Sequence, residues 1–132
     1  MSAEGKSGAA TEAAMSSEEA AAQARELWQK CQMLTHELLK FINREDIDEF
    51  IELAGQQEKI VNKIKALPPN DFRHSPEGEA IVADIKPLYM QLIYKAKSWL
   101  NKNRRNNAMV RSYDLTGNKF FSPLGHLLNK EL

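Results

Sequence analysis

The chain has 132 residues and a formal net charge of zero, yet residues 1–58 hold 12 acidic and 5 basic side chains (net −7) and residues 59–132 the opposite +7. That length and 42% apolar residues suit one domain with a single modest core. A lone cysteine, Cys31, excludes an internal disulfide framework. The lack of Leu, Ile, Val or Phe before Leu27, and of any run near the roughly 20 apolar residues of a membrane span, argues for a cytoplasmic protein without membrane insertion.

Residues 1–16 are rich in Ala, Ser, Gly and Glu and offer no bulky aliphatic or aromatic anchor, so they are expected to form a disordered tail. Ser16 or Ser17, followed by Glu18 and Glu19, starts a helix with acids at the positive end of its dipole. Leu27, Cys31, Leu34, Leu38 and Phe41/Ile42 then recur at spacings of three and four, which puts them on one face of a helix ending near Asn43. Asp46, with Glu49 three residues on, caps a second helix. Its buried stripe is Ile47, Phe50/Ile51, Ala54, Val61, Ile64 and Leu67, and Pro68-Pro69 stops it. The short joint between these helices predicts an antiparallel hairpin.

Ser75-Pro76-Glu77 starts a third helix after a loop from Asn70. Ile81/Val82, Ile85, Leu88/Tyr89, Leu92, Ala96, Trp99 and Val110 extend its apolar face toward a turn at Thr116-Gly117-Asn118. Pro87 either kinks this helix or marks the start of its longer part, and a kink is the expectation. Phe120, Phe121, Leu124, Leu127, Leu128 and Leu132 then crowd into the last 13 residues, with Ser122-Pro123 as a cap. The chain thus divides into a tail (1–16), an all-α antiparallel bundle of three long helices (17–117) and an apolar C-terminal helix or arm (118–132).

No catalytic constellation emerges, and an enzyme is not expected. His36, His74 and His126 sit on three different segments without metal-ligand spacing, so neither a metal nor another cofactor is implied. Cys31 lies on the apolar stripe and reads as a small buried residue. The acids Glu45, Asp46, Asp48 and Glu49 are explained by the start of the second helix. Lys97, Arg104 and Arg111 align at heptad spacing, which leaves a nucleic-acid module as an alternative. A solvated face that answers the acidic first hairpin is the simpler account.

The remaining candidate is an apolar groove that accepts an amphipathic helix. Its candidate residues are Leu92, Trp99, Val110 and Tyr113 on the third helix, with Phe120, Phe121, Leu124, Leu127 and Leu128 of the arm. The arm either completes the domain's own core or occupies the groove until a partner displaces it. A helical adaptor or homodimer that uses the arm in trans is a further alternative.

Three stretches carry a family resemblance: Leu27-Trp28-Gln29-Lys30-Cys31-Gln32-Met33-Leu34-Thr35, Asp46-Ile47-Asp48-Glu49-Phe50-Ile51-Glu52-Leu53 and Gln56-Gln57-Glu58-Lys59-Ile60-Val61. Together they resemble flagellar export chaperones of the FliT and FlgN kind. Residues 101–113, ending in Met109-Val110-Arg111-Ser112-Tyr113, are similar to the third helix of that family. The resemblance implies a small helical bundle that holds late flagellar substrates, hook–filament junction or filament-cap proteins, by their helical C-terminal segments. It also implies escort to the type III export apparatus, a C-terminal segment that can mask the binding face, and an export-gate contact by a tyrosine, for which Tyr113 is the match.

Overall fold

The structure is a computed structural model that describes residues 15–103 and 122–129. The regular structure of those residues is entirely helical: α1 (Ser17–Asn43), α2 (Ile47–Ala66), a 3₁₀ turn (Phe72–His74), α3 (Pro76–Asn103) and α4 (Ser122–Asn129). The boundaries follow local chemistry. Ser16 caps α1 in a reciprocal box, accepting from the Glu19 amide at 3.0 Å while its own amide donates to Glu19 Oε1 at 3.0 Å. Asp46 caps α2 by accepting from the Glu49 amide at 3.3 Å. α2 ends at Ala66, one residue short of the turn into Pro68-Pro69.

Ser75 performs two tasks at the start of α3. Its hydroxyl accepts from the Gly78 amide at 3.0 Å and donates to the Phe72 carbonyl at 2.6 Å, tying the helix to the 3₁₀ turn. α3 then runs unbroken through Pro87, so the proline does not mark its start. Its ring lies on the exposed side, where the backbone carbonyl deprived of a helical donor can meet water. The expected end of this helix near residues 113–117 and the tail over residues 1–14 lie outside the described residues.

The α1–α2 joint is a Schellman turn. The Asp46 amide donates to the Phe41 carbonyl and the Glu45 amide to the Ile42 carbonyl, both at 3.0 Å. Glu45 must therefore adopt a left-handed backbone, with φ of 57°, at the position glycine usually fills. Its only ion pair among the described residues, with Lys102 at 3.9 Å, is solvent-exposed and adds little. Glu45→Gly is accordingly expected to raise stability by about 0.5–1 kcal/mol, read as a higher urea midpoint. A fall in the midpoint would show that the side chain matters more than the backbone geometry.

α1 packs against both α2 and α3, and α4 against α2 and α3. The buried face of α1 is Ala20, Ala24, Trp28, Cys31, Leu34, Thr35, Leu38 and Ile42; that of α2 is Phe50, Ala54, Gln57, Val61 and Ile64. Cys31, Leu34, Leu38, Ile42, Phe50, Ala54, Val61 and Ile64 are as expected. Leu27, Phe41, Ile47, Ile51 and Leu67 of the expected stripes are only half-buried, and Ala20, Ala24, Trp28, Thr35 and Gln57 are buried in addition.

Candidate binding surface

The core has two parts. One gathers Ala24, Trp28 and Cys31 of α1, Val61 and Ile64 of α2, Phe72 of the turn, Ile81, Val82 and Ile85 of α3, and Leu124 and Leu128 of α4. The other gathers Leu38 and Ile42, Phe50 and Ala54, and Leu92 and Ala96. Polar groups lie between them. Gln57 Nε2 donates to Thr35 Oγ1 at 2.7 Å, and Thr35 Oγ1 donates to the Cys31 carbonyl at 2.8 Å, with all three residues buried. Tyr89 packs against both clusters from α3. A shift of α2 along α1 would leave the buried amide of Gln57 without its acceptor, so this node fixes their register.

Cys31 belongs to the same node and is fully buried. Desolvation pushes its thiol up to about 12, although Thr35 and Gln57 act in the opposite direction. It is a packing residue and not a nucleophile at neutral pH.

The candidate residues fall in different places. Leu124 and Leu128 are buried in the first cluster, with Leu127 half-buried at its edge. Leu92 is fully enclosed in the second cluster, and Trp99 packs half-buried against it. The groove expected along α3 is therefore split, and α4 covers only the first part. Lys97 is exposed. Val110, Tyr113, Phe120, Phe121, Arg104 and Arg111 lie outside the described residues, so the arrangement of the basic stripe does too.

α4 seats closely. Gly125 is buried, and a methyl group in its place would run into the Tyr89 hydroxyl. Burial under this seat raises the Tyr89 pKa above its ordinary value. Leu127 borders an open cleft of ≈310 Å³ with Trp28, Ile64, Pro68, Pro69 and Arg73. Lys65 also lines this cleft, and Arg73 Nε is buried without a hydrogen-bond partner. The first cluster thus combines a short apolar helix, an adjoining cleft and two cations at its margin.

The cross-helix ion pairs correct one expectation. An acidic hairpin was expected to face a basic third helix, but Arg25 Nε of α1 meets Glu77 of α3 at 2.9 Å, and His36 Nε2 of α1 meets Asp84 of α3 at 2.7 Å. In both pairs α3 supplies the acid, because its first half carries Glu77, Glu79 and Asp84. Among the described residues, only Lys102–Glu45 has the expected polarity. A hydrogen bond from Gln32 at 3.0 Å, and then the His36 contact, hold the Asp84 carboxyl below its ordinary pKa. These groups are largely exposed, so the pairs contribute little to stability.

Among the described residues no group of three or more His, Cys, Asp or Glu comes together as a metal-ligand set. No helix among them is long and apolar enough to cross a membrane. No family model, curated protein or solved structure matches the chain.

Proposed function

We propose that the chain is an antiparallel three-helix chaperone that binds amphipathic helical segments in the place held by α4. The observation that carries this reading is the seat of α4 itself. Eight residues are too few to sustain a helix in water, so α4 depends on the cluster that receives Leu124 and Leu128. A seat that orders one short apolar helix has the shape and chemistry to order another. The adjoining cleft supports the reading, since Lys65 and the unpartnered Arg73 Nε suit an acidic residue flanking the incoming apolar face.

The resemblance to FliT- and FlgN-type chaperones supplies the substrate class: C-terminal helices of hook–filament junction or filament-cap proteins, bound in the cytoplasm and passed to the type III export apparatus. In this reading the protein is not an enzyme. Affinity comes from apolar side chains replacing those of α4, and release occurs when α4 returns to its seat. Deleting residues 119–132 is expected to raise affinity for such a substrate peptide at least tenfold, because the competing helix is gone. Isothermal titration of both proteins measures this, and equal or weaker binding by the truncated chain rejects displacement.

A further inference from the structure

The outward face of α3 differs from those of its neighbours. Ala80, Ala83, Pro87, Met90 and Tyr94 form its solvent-facing line and are all exposed, Met90 by 68% and Tyr94 by 75%. No charged residue lies on that line between Pro76 and Lys97. The outward line of α2, in contrast, carries Glu52, Gln56, Lys59 and Lys63, all exposed as expected for a solvated face. An uncharged outward line with two large exposed side chains four residues apart offers apolar area that a docked molecule would remove from water.

We propose that this face pairs with the same face of a second copy of the chain, the two α3 helices running antiparallel about a two-fold axis between residues 88 and 89. Three features argue for a second copy as the occupant. First, the positions 76, 80, 83, 87, 90, 94, 97 and 101 alternate in spacings of four and three, and the series is its own mirror about that midpoint. Antiparallel pairing therefore sets small against large: Ala83 opposite Tyr94 of the second copy, and Pro87 opposite Met90.

Second, the charges on α3 are polarised. Three of the four charged residues before Pro87 are acidic (Glu77, Glu79 and Asp84, against Lys86), while Lys95, Lys97 and Lys102 lie after it. Glu79 and Lys97 flank the apolar line on the same side, both exposed, and neither forms an ion pair among the described residues. The antiparallel arrangement brings Glu79 beside Lys97 of the second copy at both ends of the contact. A parallel arrangement would place like charges together. Third, Pro87 has no amide to offer the Ala83 carbonyl four residues earlier. In the antiparallel register Tyr94 of the second copy lies at that level, and its hydroxyl supplies the missing donor. The contact from Ala80 to Lys97 spans roughly 27 Å of helix.

The test is sedimentation equilibrium of the full chain from about 10 to 500 μM, with circular dichroism to confirm that each variant is folded. A concentration-dependent dimer is expected, with K97E weakening it about tenfold because an acid then opposes Glu79. The double variant E79K/K97E should restore dimerisation to within about threefold, since the pair is only reversed. Y94K should remove the dimer, whereas deletion of residues 119–132 should leave it intact. A monomer at every concentration overturns the proposal, as does a dimer indifferent to Y94K and K97E. A dimer lost with residues 119–132 also overturns it, and assigns self-association to the arm.

Discussion

Replacing Gly78 with alanine is expected to destabilise the protein by about 2–3 kcal/mol, although helix propensity alone favours alanine by about 1 kcal/mol. The reason is the close approach of α3 to the 3₁₀ turn. An alanine methyl at position 78 would overlap the Phe72 carbonyl oxygen and come within 3.0 Å of the Phe72 carbonyl carbon and 3.1 Å of the Arg73 carbonyl carbon. All three are backbone atoms, so no side chain can turn aside. That same carbonyl receives the Ser75 hydroxyl at 2.6 Å and the Ser75 amide at 2.9 Å, so retreat would strain the cap of α3. Phe72 is buried in the first cluster and would have to move with its backbone. Urea denaturation of the variant tests this against Gly55→Ala on α2, where the added methyl meets open space. Gly55→Ala should gain about 1 kcal/mol, and the same gain at position 78 would refute the packing argument.

The second large effect separates core from seat. Leu38 and Leu128 are both buried, at 0% and 1% exposure, and truncating either to alanine removes the same atoms. Leu38 lies mid-helix among Ile42, Phe50, Ala54, Leu92 and Ala96, in the part of the core that α4 does not reach. Leu38→Ala is expected to cost about 3–4 kcal/mol of global stability. Leu128→Ala has a ceiling that Leu38→Ala lacks. If α4 leaves its seat as a unit, no substitution within it can cost more than deletion of residues 119–132. The measured loss for Leu128→Ala should therefore equal or fall below the loss for that deletion, whatever the size of the cavity. Trp28, which shares the cleft with Leu127, should report the change through a red-shifted emission. A loss for Leu128→Ala well beyond that of the deletion would make α4 an inseparable part of the core.

Periodicity made the long helices legible, because a spacing of three and four residues is set by the helix itself. Ser16, Asp46 and Ser75 were equally readable, since each cap is a local bond. Gln57 was hidden. It occupies the gap between Ala54 and Val61 in the apolar stripe of α2, and only its tertiary partner Thr35 explains a buried amide there. The requirements at Gly78 and Gly125 were hidden for the same reason, because each depends on atoms of another element. Charge segregation along the chain suggested an acidic hairpin facing a basic helix. The pairs formed instead depend on which half of α3 lies beside α1, and that half carries the acids. For the candidate surface, the apolar residues of α4 were readable as a group, but Leu92 and Leu124 on one groove were not separable into two clusters by spacing alone.

The Thr35–Gln57 bridge has a consequence for how the molecule can open. A continuous hydrocarbon core transmits the loss of one side chain along its length, since every neighbour relaxes toward the gap. Here the Gln57–Thr35–Cys31 bonds stand between the seat of α4 and the cluster around Leu38; they rest on the Cys31 carbonyl at the edge of the first cluster and involve only residues of α1 and α2. Emptying the seat is therefore expected to perturb the first cluster, while the Thr35–Gln57 bond and the cluster around Leu38 keep α1 and α2 in register. If α4 is exchanged for a partner helix as proposed, the fold around Leu38 is expected to stay in place.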